Sequence, residues 1–359
     1  MMDSLPPPRP EPAPSASRDP AMDRWIHPSV ILVATDLRDL DRLTPFAFDQ
    51  AERTGARLLL LHVLAATASL SADGAGMPYY DPSGALEFAA KELETWCESA
   101  RQKNILCDGL VREGNPAQQI GAVARQFQAD RVLMGTRSRG KLGKLLLGSV
   151  AEQVLRSVNL PVMTVGPEAH LAVERSRLQA IVLHATTLRE TSRPSAALAC
   201  QIASSQGEGL LLLHVLPPLP LPRTALPFLP LPNLSIAELP LAAEAWEAKQ
   251  AHQTQPASMD ESAVHELRRL AEDTGAACGC QIETRVVHGN PSIEILAEAS
   301  ERQASLIVLG ARHRSVFENL ARDRTIYRVL AHARCPVLTL REQQPAPVAP
   351  RTPQMASRI

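Results

Sequence analysis

The chain has 359 residues, enough for two domains of ordinary size, and 45% of them are apolar, enough for two cores. Its 37 basic and 38 acidic side chains balance, so no basic field draws it to nucleic acid or to an anionic membrane. Aromatic residues make up only 3%, too few for base-stacking platforms, and no apolar run reaches the ~18 residues of a membrane span.

Residues 1–27 are rich in proline, serine and charge and lack the apolar centre of a signal peptide. They are expected to form a disordered tail. With neither a leader nor a span, the expected location is the cytoplasm.

Val30–Thr35 is a continuous apolar run, the pattern of a parallel strand buried on both faces. Leu43, Phe46, Ala47 and Ala51 then predict a helix over 39–53. Leu58–Leu64 reads as a second strand, 86–103 as a helix, and 109–112 as the close of a third strand. Pro116 suits the first turn of the next helix, where Ile120, Val123, Ala124 and Phe127 form one apolar stripe. Asp130–Gly135 is the fourth strand, Gly148-Ser149 opens a last helix, and Pro161–Val165 is the fifth strand. These elements make one domain over 28–166, followed by a linker at 167–176.

The same order then repeats. Leu58-Leu-Leu-Leu-His62-Val-Leu64 recurs letter for letter as Leu210-Leu-Leu-Leu-His214-Val-Leu216. Gly114-Asn115-Pro116 recurs as Gly289-Asn290-Pro291, and Pro161-Val162 as Pro336-Val337. Late landmarks are displaced further than early ones, so the second copy carries an insertion of roughly 23 residues after its second strand. Prolines 217, 218, 220, 222, 227, 230, 232 and 240 crowd that region and exclude helix or central strand. A flexible loop, or a polyproline docking segment, fits this composition over 217–240. The second domain is expected over 177–341, with a further disordered tail at 342–359.

Alternating strands and helices imply an α/β fold, two tandem, open, doubly wound five-stranded parallel sheets of Rossmann-like type. Ligands of such sheets bind outside the carboxyl ends of the strands. In the first copy that edge gathers Asp36, the residues after His62-Val63, and Met134-Gly135-Thr-Arg-Ser138, followed by Gly148-Ser149-Val150. A glycine at a strand end lets backbone approach a ligand, and a Gly-Ser pair at a helix start offers free N–H groups and the positive end of the helix dipole. Together they make an anion cradle suited to phosphates, with Arg137, Arg139, Lys141 and Lys144 adding positive charge. Each piece has a plainer reading too. Ser149 serves as an ordinary helix N-cap, Asp36 as an Asx-turn residue, and His62 and His214 as sheet-edge residues.

Gly135-Thr-Arg-Ser138…Leu145-Leu-Leu-Gly148-Ser149-Val150, followed by Pro161-Val162, resembles the universal stress protein signature G-x2-G-x9-G-[S/T]. The resemblance covers both copies. It implies a strand order of 3-2-1-4-5, pairing of the two domains as a pseudo-dimer with a further homodimer open, and binding of ATP, or of AMP or ADP. Carried over by position, Ala34, Thr35, Asp36 and Val63 would hold adenosine, while Met134, Gly135, Ser138, Gly148, Ser149 and Val150 would surround ribose and phosphates. Mg2+ would arrive with ATP. Ser138 stands where the motif has its second glycine, and its Cβ narrows the approach. The second copy departs further: Thr187 replaces the aspartate, and Asp323-Arg324 replaces Gly-Ser. An aspartate there repels phosphate, so the second domain is expected to be a structural partner.

No P-loop, no G-x-S-x-G elbow and no metal-ligand set is present in the sequence. The six cysteines match no zinc pattern. Reduced thiols are the plain expectation, with Cys278-Gly-Cys280 as a remoter redox pair. The sequence therefore points to a nucleotide-sensing stress protein, with a non-nucleotide interaction scaffold and a weak ATPase as rivals.

Overall fold

The computed structural model describes residues 20–65, 82–136, 147–169, 180–216, 257–276, 278–312 and 324–342. Ten strands form a single sheet in the order β3-β2-β1-β4-β5-β10-β9-β6-β7-β8. In the first domain these are β1 Val30–Thr35, β2 Arg57–Leu64, β3 Cys107–Glu113, β4 Arg131–Gly135 and β5 Val162–Val165. In the second they are β6 Ile181–Thr186, β7 Gly209–Leu216, β8 Ile282–His288, β9 Leu306–Arg312 and β10 Val337–Glu342. Within each domain all described pairings are parallel.

The two halves meet through β5 and β10, which pair antiparallel with Val337 opposite Thr164 and Thr339 opposite Val162. The separate sheets expected from the sequence are thus one continuous sheet. Edge strands carry unpaired N–H and C=O groups, and joining two edges satisfies both. Thr164 Oγ1 adds a hydrogen bond to the Val337 carbonyl at 3.2 Å. Beside the seam Arg53 donates to Gln206 at 3.1 Å and to the buried Glu208 at 3.0 Å, and Arg341 donates to Asn159 at 2.9 Å.

Helices cover both faces. They are α1 Pro20–Ile26, α2 Leu40–Thr54, α3 Pro82–Gln102, α4 Pro116–Gln126, α5 Ser149–Ser157, α6 Arg193–Gln206, α7 Ala257–Gly275, α8 Pro291–Glu301 and α9 Arg324–His332. Alternate residues of each strand feed two cores. Ile31, Val33, Leu58 and Leu60 join the α2–α3 side, and Leu32, Leu59, Leu61 and Val132 join the α4–α5 side. This two-sided burial explains the continuous apolar runs.

The repeated Gly-Asn-Pro has one local cause in both copies. Gly114 and Gly289 take φ of 123° and 146°, a region that disfavours a Cβ. Asn115 and Asn290 then cap α4 and α8 by accepting from the N–H of Gln118 and Ser292, each at 3.1 Å, and Pro116 and Pro291 occupy the first turn.

Residues 20–26 correct the expected tail. Arg24 in α1 donates to the buried Asp130 at 2.7 Å, and the fully buried Arg131 donates to the Trp25 carbonyl at 2.7 Å and to Gln50. Asp130 also accepts from the N–H of Ser29 at 2.8 Å and of Val30 at 3.2 Å. Ile26 is buried, and α1 also contacts α6 of the second domain. Composition could not reveal this docking, because both partners of α1 lie more than a hundred residues away. Prolines at 217–240 and the tail at 343–359 lie outside the described residues. No helix among the described residues is long and apolar enough to cross a membrane.

Candidate functional site

A cleft of about 320 Å³ opens at the carboxyl ends of β1, β2 and β4. That volume lies at the small end of the range for small-molecule sites. Its lining holds Ala34, Thr35 and Asp36 from the end of β1, Val63 from β2, Met134 and Gly135 from β4, and Gly148, Ser149 and Val150 at the start of α5. Nine of the residues picked from the sequence therefore share one wall. Ser138, and the basic residues at 137, 139, 141 and 144, lie outside the described residues.

At α5 the cap is Gly148, not Ser149. Gly148 is extended, at φ −65° and ψ 145°, and offers no side-chain hydrogen bond to the helix. Ser149 is the first helical residue and is exposed. Gly148 is held in place by its own N–H donating to the Thr136 carbonyl at 3.0 Å. The first N–H groups of a helix have no intrahelical acceptor, and among the described residues no side chain caps those of α5. Ser149, Val150 and Ala151 place that end of α5 on the cleft.

The loop after β1 is ordered by its own polar groups. Leu37 takes φ of 68°, and its N–H donates to Thr35 Oγ1 at 2.9 Å. Asp36 accepts from the Arg38 N–H at 3.0 Å, an Asx-turn, and is exposed at the mouth of the cleft. The turn fixes its side chain without using all its acceptor sites. His62 Nδ1 lies 3.0 Å from the Thr35 carbonyl. A carbonyl only accepts, so this contact places the proton on Nδ1.

Sequence reasoning missed Asp39. It accepts from Thr35 Oγ1 at 2.6 Å and from the Asp36 N–H at 3.3 Å, and its other oxygen lies 3.8 Å from Arg42. Burial raises its carboxyl to about 6, against the opposing hydrogen bond from Thr35. A Cβ on Gly135 would stand 2.5 Å from Asp39 Oδ2. Gly135 therefore leaves room for this carboxylate. The available signal was Thr35-x-x-x-Asp39, two polar residues around a strand end.

In the second copy Leu188 repeats the turn, with φ of 58° and its N–H on Thr186 Oγ1 at 3.0 Å. His214 Nδ1 likewise lies 2.9 Å from the Thr186 carbonyl. The polar groups differ. Thr187 meets Ser192 at 3.1 Å, and Glu190, standing where Asp39 stands, turns outward to Arg193 at 2.6 Å. Arg324 opens α9, while Asp323 lies outside the described residues. A larger crevice of about 530 Å³ runs along the domain seam past Arg53, Gln206 and Glu208. It holds three carboxylates of α2, Asp41, Asp49 and Glu52, and that of Glu208, so the smaller cleft is the better anion site.

Cys200 and Cys278 form a disulfide, and Cys97, Cys107, Cys280 and Cys335 are free. This corrects the expectation of six reduced thiols, and of Cys278 and Cys280 as the pair. Cys200 lies 78 residues before its partner, a relation that spacing cannot reveal.

The profile of the Universal stress protein family matches residues 29–166 and 180–341. A universal stress protein from Thermus aquaticus is 32% identical over 142 residues, covering 38% of this chain and 96% of that protein. One from Mycobacterium tuberculosis is 32% identical over 134 residues, 37% of this chain. That match spans only 43% of the mycobacterial protein, so the chain aligns with less than half of that relative. The crystal structure of a universal stress protein from Archaeoglobus fulgidus aligns over 88% of this chain and 97% of its own, with a TM-score of 0.61 and 22% identity, which shows a shared fold.

Proposed function

The chain belongs to the universal stress protein family, and we propose that the cleft of its first domain binds an adenine nucleotide. The observation that carries this reading is the uncapped start of α5 beside the end of β1. Free N–H groups and the helix dipole suit phosphates. Ala34, Val63, Ile120 and Met134 offer an apolar wall for a base, and Asp36 an acceptor for its amino group or for ribose hydroxyls. ATP, ADP and AMP share these features. Mg2+ would be held through the phosphates, since magnesium keeps most of its waters and takes only one or two carboxylates. The nucleotide state would then be signalled through the paired domains in a cytoplasmic stress response, with the second domain as structural partner.

Titration of the purified chain with ATP tests the reading. Saturable binding is expected in wild type, and its loss in Gly148→Asp, which puts a carboxylate at the phosphate end. Asp36→Ala is expected to weaken binding by about tenfold, the loss of one hydrogen bond to a charged group. Absence of saturable binding at millimolar ATP sinks the proposal.

One observation favours slow hydrolysis as a second reading. Asp39 lines the cleft, and its carboxyl near 6 suits a proton acceptor at neutral pH. Phosphate release no faster in wild type than in Asp39→Asn removes that reading.

A further inference from the structure

We propose that Cys200, Cys278 and Cys280 form a thiol–disulfide exchange site that takes small thiols and disulfides, with no part in nucleotide binding. Among the described residues these three are the only group of three or more His, Cys, Asp or Glu side chains close enough to share a ligand, their sulfurs all lying within 4.8 Å. Cys200 is fully buried in α6, while Cys278 and Cys280 are half-buried in the turn between α7 and β8. The Cα atoms of Cys200 and Cys278 are 6.3 Å apart, within the range a disulfide spans without backbone movement. Cys280 Sγ lies 3.3 Å from Cys200 Sγ and 3.5 Å from Cys278 Sγ. A purely structural crosslink has no use for a third sulfur in contact with both of its own.

The turn holds this arrangement. Gly279 takes φ of 68° between the two cysteines, and its N–H and that of Cys278 donate to the Gly275 carbonyl at 3.3 and 3.1 Å. Ser204 Oγ donates to the Cys278 carbonyl at 2.7 Å, tying the turn to the helix that carries Cys200.

Exchange needs no outside oxidant. The Cys280 thiol loses its proton to solvent, and the thiolate attacks Cys200 Sγ. The Cys200–Cys280 bond forms as the Cys200–Cys278 bond breaks, and the electron pair leaves on Cys278, which takes up a proton. Burial raises the Cys280 thiol above the usual range, so exchange is slow at neutral pH and quickens as pH rises. Glutathione reduces either isomer, two thiols giving one glutathione disulfide, and glutathione disulfide reverses the step. The exposed side of Cys278 and Cys280 is the entry point, with Cys200 as the protected common partner.

The test is peptide mapping of the full chain after equilibration with glutathione and its disulfide. Wild type is expected to hold both the Cys200–Cys278 and Cys200–Cys280 isomers, the mixture being reached faster as pH rises. Cys278→Ser is expected to form Cys200–Cys280 with the mass loss of two hydrogens, and Cys280→Ser to retain only Cys200–Cys278. Circular dichroism confirms that each variant is folded, and a folded Cys278→Ser chain that keeps two free thiols in excess glutathione disulfide overturns the proposal. Purified wild type that holds zinc or copper(I) at one per chain through these thiols overturns it too, in favour of a metal site.

Discussion

The carboxylate of Asp39 fills the space above Gly135, 2.5 Å from where a Cβ would stand. Two residues 96 positions apart in number thus share one volume at the floor of the cleft, and the burial that results makes the charged carboxylate costly.

Asp39 is therefore expected to lower stability at neutral pH. Its carboxyl moves from 3.8 in the unfolded chain to about 6 in the fold, so the folded state binds more protons between those values. The contribution is fully present below pH 4 and lost as pH rises through about 6. Asp39→Asn should stabilise the protein by ~1–3 kcal/mol above pH 7 and by nothing near pH 4. Urea unfolding at pH 7.5 and pH 4 measures the difference, and an Asn variant that gains no stability at pH 7.5 relative to pH 4 would refute it.

His184 is expected to act in the opposite sense. It is fully buried in β6 with Nδ1 3.0 Å from the Val308 carbonyl, and burial lowers it from 6.5 to about 4. The unfolded chain binds the proton first, so this group's contribution is complete above pH 6.5 and disappears as pH falls through 4. The first domain has Val33 at the same strand position. His184→Val should flatten the loss of stability on acidification by ~3 kcal/mol between pH 7 and pH 4. Thermal melts across that range are the measurement.

Docking of α1 rests on Asp130. Replacing it with alanine leaves the N–H groups of Ser29 and Val30 without their acceptor and the Arg24 guanidinium with the Gln128 carbonyl in place of a carboxylate. A loss of about 3 kcal/mol is expected, far more than for an exposed ion pair. Proteolysis should then open residues 20–28 before the rest of the chain.

The crosslink between α6 and the α7–β8 turn should also carry stability. It closes a loop of 78 residues that contains the proline-rich insert. Cys200→Ser removes both disulfide isomers, and the expected cost is ~2–4 kcal/mol, read as a lower melting temperature that dithiothreitol no longer changes.

Much of the cleft was legible in the linear order of residues. Strands buried on both faces must be continuous apolar runs, and Gly114-Asn115-Pro116 spells a turn, a cap and a first helical residue in three letters. Comparing the two copies located the conserved frame and the lost polar groups without any structure. Asp39 escaped notice because its importance comes from Gly135, and acidic residues at helix starts are common for ordinary reasons. The disulfide escaped because Cys200 has no local partner, and α1 because seven residues are too few to show a period of their own.

Periodicity and turn chemistry, being local, were enough to establish two α/β domains and to bring Asp36, Gly135 and Gly148 to the same sheet edge. Fusion of the domains through β5 and β10, the partial burial of Asp39 and full burial of His184, and the meeting of three sulfurs were decided only in three dimensions. The reason is physical. Edge pairing, desolvation and sulfur–sulfur contact depend on which distant surfaces meet, and that is settled when whole sheets and helices pack.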